Sequence, residues 1–160
     1  MQTEQSPRHL VAVFESPVAE ALLRIGLEVG FRCTLVEPDP VRLQGSPRPH
    51  GDSFVGDLSA AGVTGHTDIV LTDHHRPELG AVLKEALAGD ARWIGIIGNP
   101  HKQGPHIAAL KELGVPDEEI ARVHRPIGLN IGSRTAAEIA VATLAGLIAD
   151  RNERPGGFEF

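Results

Sequence analysis

Hydrophobic positions fall into short unbroken runs, separated by polar stretches rich in glycine and proline. Four runs, HLVAVF (9–14), RCTLVE (32–37), TDIVLTD (67–73) and RWIGIIG (92–98), read as buried strands, and FVGD (54–57) as a shorter one. Between them apolar residues recur at helical spacing. ESPVAEALLRIGLEVG (15–30) predicts a helix with Ser16 as N-cap, Pro17 as its first residue and Gly30 as its stop. Leu22, Ile25 and Val29 share one face of it. Further helices are expected over 77–89, 106–114 and 116–123, and a long one from 136 to 149. Residues 38–53 read as a turn-rich loop.

Strands alternate with helices, and the strands lack the in-out alternation of a half-solvated sheet. That combination predicts a mainly parallel sheet covered on both faces. Right-handed crossovers make it a doubly wound, Rossmann-like α/β fold. At 160 residues one domain is expected, over 9–150, with 1–8 as an N-terminal extension and 151–160 as a flexible tail. Ligands in such sheets bind beyond the carboxyl ends of the strands. Those ends are Phe14–Glu15, Glu37, Thr72–Asp73 and Gly98–Asn99.

A dinucleotide site would place G-x-G-x-x-G after the first strand, so that backbone can approach the pyrophosphate. VFESPVAEAL has no glycine there, and Glu15 adds negative charge where a phosphate would sit. Both features argue against NAD(P). Glu37 does match the acidic ribose-binding position, although acidic residues are common at strand ends.

The stretch PIGLNIGSRTAAEIA is more suggestive. Thr135 and Glu138 form a capping box that fixes the start of the last helix. Gly128, Asn130, Gly132, Ser133 and Arg134 precede it. Glycines let backbone N–H groups point inward, a helix N-terminus favours anions, and arginine offers a charged fork. The loop reads equally as an anion cradle or as a rigid corner that seats the last helix. Gly98, Asn99 and Lys102, after the preceding strand, should face the same crevice. The last helix presents Ala137, Val141, Leu144 and Ile148 on one face with Ala140 and Leu147 beside them; a helix apolar on more than one side is deeply packed or lies at a subunit interface, and a homodimer is expected.

Composition narrows the function classes. The net charge is -6 with no basic patch, which argues against nucleic acid. The single Cys33 sits in a strand and reads as an inert thiol of a reducing compartment. MQTEQSPRHL lacks signal-peptide layout, and no apolar run is long enough for a membrane span, so a cytoplasmic protein is expected. Asp73-His74-His75 matches a motif of the DHH phosphoesterases, but the further carboxylates of a two-metal site are lacking. Adjacent histidines on an extended backbone would point apart, so these read as polar loop residues and no metal is assigned. His124 reads as a loop hydrogen-bonding residue. No Ser-His-Asp or G-x-S-x-G pattern is present, so no catalytic residue is assigned.

RWIGIIGN together with LKELGVPDEEIARVHRPIGLNIGSRTAAEIAVATLAGLIADR resembles the C-terminal Rossmann domain of the XdhC/CoxI family. The resemblance is strong from Trp93 to Arg151 and weaker but collinear from His9 to Leu87. These proteins are maturation factors of molybdenum hydroxylases such as xanthine dehydrogenase and carbon monoxide dehydrogenase. The resemblance implies an accessory rather than catalytic role. It implies molybdenum cofactor (molybdopterin) or a related nucleotide as ligand, and a hydroxylase apoenzyme or another maturation protein as partner. Several positions depart from the family pattern. Its G-A-G-H-V-[GA] is replaced here by Glu15-Ser16-Pro17-Val18-Ala19, and its G-S-R-[RK]-[KR] by Gly98-Asn99-Pro100-His101-Lys102, with only Lys102 basic. Its P-I-G-L-D-I-G reads Pro126-Ile127-Gly128-Leu129-Asn130-Ile131-Gly132, and its T-H-D-H reads Thr72-Asp73-His74-His75. A standalone, divergent form without the separate N-terminal domain of longer members is expected. Two alternatives remain: a degenerate Rossmann module that only dimerises or docks, and a nicotinamide-dependent oxidoreductase.

Overall fold

The computed structural model describes residues 8–46 and 51–160; residues 1–7 of the expected N-terminal extension lie outside them. Five strands form one parallel sheet: β1 (His9–Val13), β2 (Arg32–Val36), β3 (Ser53–Val55), β4 (Thr67–Leu71) and β5 (Trp93–Ile96), in the order β3-β2-β1-β4-β5. Helices α1 (Pro17–Glu28), α2 (Pro40–Gly45), α3 (Leu79–Ala88), α4 (Pro105–Glu112), α5 (Asp117–Ile120) and α6 (Ala136–Arg151) connect and follow them.

The strands explain their lack of sequence alternation. On β1, Leu10 and Ala12 pack against α1 and α6 through Leu22, Leu23, Ala140, Leu144 and Leu147. Val11 and Val13 face the other way, toward Leu79, Leu83 and Ala86 of α3, Leu110 of α4 and Ile120 of α5. Both faces of the central strands are dry, so apart from the exposed Arg32 at the start of β2 their positions are apolar or internally satisfied, and the expected doubly wound Rossmann-like architecture is present.

Two polar devices sit inside this core. The His9 ring lies 2.8 Å from Thr34 Oγ1 and 3.0 Å from Thr67 Oγ1, linking the three central strands while only 1% exposed. Burial, with Arg32 nearby, lowers its pKa to about 4, so it is held neutral. Asp68 on β4 accepts from Arg92 Nε at 2.7 Å and from Arg151 Nε at 2.9 Å. That second bond carries α6 past the expected end at residue 149, to Arg151. Beyond the helix, a Cβ at Gly156 would lie 2.9 Å from Leu129 Cδ2, so this part of the tail lies against the 126–132 loop.

Residues 38–53 are not wholly loop. Asp39 accepts from Val41 N at 2.9 Å, Pro40 supplies a preset first turn, and α2 follows. None of its residues is buried, so it carries no apolar periodicity that would reveal it. A 3-10 turn at Leu58–Ala61, capped by Asp57, was likewise not expected from the apolar pattern.

Candidate functional site

The carboxyl end of β1 is filled by the protein itself. Phe14 has φ +79, the left-handed region where a glycine would be at ease, yet it is fully buried. Its N–H donates to Val36 O at 2.8 Å, Thr72 Oγ1 lies 2.7 Å from its carbonyl, and the Arg76 guanidinium lies 4.6 Å over its ring. Arg76 grips Glu37 with two hydrogen bonds, 2.8 Å to Oε1 and 2.7 Å to Oε2, and pairs with Glu78 at 2.9 Å. Glu37 also accepts from Glu15 N at 3.0 Å and Asp39 N at 2.8 Å. Burial alone would raise its pKa, but the Arg76 hydrogen bonds and the two backbone donors outweigh that and lower it. This corrects the expectation for Glu37. Its carboxylate is 0% exposed and committed to Arg76, so it is not presented to a ribose.

A crevice opens instead at the carboxyl ends of β4 and β5. It encloses about 730 Å³ between the β5 end, His74 and His101 on one side and the 126–133 loop with Ile139 and Ala142 of α6 on the other. Of the residues expected there, Gly98, Asn99, Gly128, Asn130, Gly132 and Ser133 line it. Lys102 and Arg134 are exposed and lie outside its lining. Arg134 contributes a backbone N–H to Glu138 Oε2 at 3.5 Å, and its guanidinium has no partner among the described residues. Half of the capping box forms: Thr135 Oγ1 accepts from Glu138 N at 3.1 Å, while the Glu138 carboxylate reaches the N–H of Arg134 in place of that of Thr135.

The 126–132 loop is both corner and wall. Gly128 has φ +85, and a Cβ there would lie 2.8 Å from the Ala142 carbonyl carbon, so the loop backbone rests directly on α6. Leu129 N donates to Ala142 O at 3.0 Å, closing the contact. The loop leaves His124, which bridges β5 in parallel register: His124 N donates to Ile94 O and Ile96 N to His124 O, both at 3.0 Å. The ring of His124 stacks on Trp93 with centroids 4.9 Å apart.

Sequence reasoning missed Arg125 and undervalued His74. The Arg125 guanidinium packs on the Cα of Gly98, where a Cβ would overlap Nε and lie 2.6 Å from Cζ. Its Cδ abuts Gly104, and Nη1 donates to Lys102 O at 2.7 Å. Its Nε and the Nδ1 of His74 are buried without a hydrogen-bond partner. Burial lowers the His74 pKa, and His75, Arg125 and Lys102 lower it further, against Asp73. The His74 and His75 rings do not point apart as expected; their centroids are 4.0 Å apart, because the backbone bends there instead of staying extended. Among the described residues no group of three or more His, Cys, Asp or Glu could hold a metal ion. Cys33 is buried and its pKa is pushed up to about 12 by burial and Asp52, which makes it the inert thiol expected.

The model of the XdhC Rossmann domain matches residues 10–147. The chain belongs to the XdhC family. This XdhC domain is 31% identical over 110 residues to the uncharacterized protein YqeB of Escherichia coli K12, a match covering 68% of the chain and 20% of that protein. Its fold is that of a Bacillus halodurans protein described as a xanthine dehydrogenase, with a TM-score of 0.74 and 22% identity, over 96% of this chain and 45% of that one. The XdhC domain thus spans about a fifth of the curated relative and under half of the solved one. Among the described residues no helix is long and apolar enough to cross a membrane.

Proposed function

We propose that this XdhC domain serves in maturation of a molybdenum hydroxylase of the xanthine dehydrogenase or carbon monoxide dehydrogenase type, by holding molybdenum cofactor or a related nucleotide in the β4–β5 crevice. The observation that carries the reading is the coincidence of the family's most specific motif, residues 124–135, with the wall of a crevice at the strand ends. The volume of about 730 Å³ suits a cofactor-sized ligand. The lining fits a phosphate-bearing pterin: Ile127, Leu129, Ile131 and Ile139 offer an apolar wall, Asn99, Asn130 and Ser133 offer polar groups, and His74 carries an orphaned ring nitrogen. When bound, the cofactor would supply the molybdenum centre of the client enzyme. The domain's residues orient it, keep water from it and release it to an apoenzyme or another maturation protein.

The closed end of β1 supports ligand binding away from the usual dinucleotide position and weighs against a nicotinamide-dependent oxidoreductase. A docking role without ligand has one observation in its favour, the exposed Ile131 and Val141. Pterin retention separates the readings. The purified domain is incubated with released molybdopterin, freed of excess, and its pterin is measured by fluorescence after oxidation. The expected result is stoichiometric pterin on the wild type and little on Asn130→Trp, which fills the crevice. Equal retention by both, or none by either, overturns the reading.

A further inference from the structure

The sequence pointed to Arg134 as the cation of the crevice; neither Arg134 nor Arg125 is in its lining, but the Arg125 guanidinium packs directly against the lining residue Gly98. Arg125 is built in far more rigidly. Two glycines make room for it: Gly98, whose Cα carries the guanidinium, and Gly104, where a Cβ would lie 3.0 Å from its Cδ. The Lys102 carbonyl holds Nη1 at 2.7 Å. No carboxylate pairs with this side chain among the described residues, whereas Arg76, Arg92, Arg122 and Arg151 each have one. A half-buried cation without a counter-ion, with a buried Nε that makes no hydrogen bond, is costly unless something anionic comes near. His74 lies on the crevice wall with a second orphaned nitrogen, Nδ1. The charged and titratable groups around His74 are His75, Arg125, Lys102 and Asp73, and His101 shares the lining. One carboxylate therefore stands among several cationic or protonatable groups.

We propose that Arg125 and His74 are the anion-recognising pair of this crevice, and that the group they recognise is a phosphate or diphosphate. Arg125 supplies a fixed positive charge from behind Gly98, where backbone and ligand can approach without an intervening side chain. His74 supplies a donor from the wall and gains a proton as the anion enters, because a negative charge beside the ring opposes the burial and the neighbouring cations that hold it neutral. Anion affinity therefore rises as the pH falls. The inference rests on the crevice being the ligand site, but not on the ligand being a pterin.

Calorimetry of inorganic pyrophosphate against the whole chain tests it, at pH 7.5 and pH 5.5. Arg125→Gln should weaken binding about tenfold or more, and Arg134→Ala much less. His74→Gln should flatten the rise in affinity seen for the wild type between the two pH values; titration of pyrophosphate itself is common to both proteins and cancels. If Arg125→Gln does not fold, Arg125→Lys keeps the charge and the His74 comparison still decides. Wild-type binding absent at millimolar pyrophosphate, unchanged binding in Arg125→Gln, a loss carried by Arg134→Ala, or an equal pH dependence in His74→Gln each overturns the proposal. Pterin retained equally by wild type and Arg125→Gln overturns this pair while leaving the maturation reading intact. Pyrophosphate binding that needs Arg125 in a domain that retains no pterin does the reverse.

Discussion

A Cβ at Gly98 would push the Arg125 guanidinium off its seat, and one at Gly128 would press into the backbone of α6 at Ala142. The two alanine variants should therefore differ in degree. Gly98→Ala displaces the flexible end of a side chain and should cost about 1 kcal/mol. Gly128→Ala meets immovable helix backbone at a left-handed φ of +85 and should cost about 3 kcal/mol. Urea titration of both variants checks the order, and a milder effect at Gly128 would mean the loop can lift from the helix. His9 makes stability depend on pH. The unfolded chain takes up the proton near 6.5 and the folded chain only near 4, so stability is full above 6.5 and is lost as the pH falls toward 4. The depression corresponds to about 3 kcal/mol, to be read from denaturant midpoints at pH 7 and pH 4.5. His9→Gln should flatten that slope, and an unchanged slope would assign it to His74 or His106, whose pKa values are also lowered by burial.

Elements differ in how visibly the chain encodes them. The strands were legible because burial on both faces forces continuous apolar runs, and α1 and α6 because Ser16 and Thr135 cap them with the expected side-chain bonds. α2 was not, since its signal is only Asp39-Pro40 and nothing on it is buried. In the site, the glycines and asparagines at the loop and strand end were readable from their positions. Arg125 was not, because what marks it is the pair of glycines at 98 and 104 that make room for it, and that relation exists only after folding. The end of α6 rests on Asp68, which is fully buried between Arg92 and Arg151. Asp68→Asn should loosen the helix end and cost about 2 kcal/mol, less than a wholly buried pair because both arginines reach solvent. Hydrogen exchange confined to the last turns of α6 would accompany it; protection unchanged there would contradict the assignment.

The whole molecule turns two sides of α6 to different tasks. Ala140, Leu144 and Leu147 enter the core against α1, while Ala137 and Val141 face out, Val141 with 48% of its surface exposed. Ile131 adds a neighbouring apolar residue that is 54% exposed. We expect a homodimer through this face, seen as twice the chain mass by light scattering and returned to the monomer by Val141→Glu. A monomer mass for the wild type across a concentration series would refute it. The plug at the end of β1 has a consequence for the history of such a fold. A glycine at Phe14 alone would empty a core position and strip Arg76 of its ring, and removing Glu37 alone would leave Arg76 with Glu78 as its one carboxylate and deprive Glu15 N and Asp39 N of their acceptor, at a cost of about 3 kcal/mol. Either change, made alone toward a nucleotide-binding first turn, gives a less stable protein. Three side chains that brace one another act as a ratchet, and selection for a new ligand meets less resistance further along the same carboxyl edge, at β4 and β5.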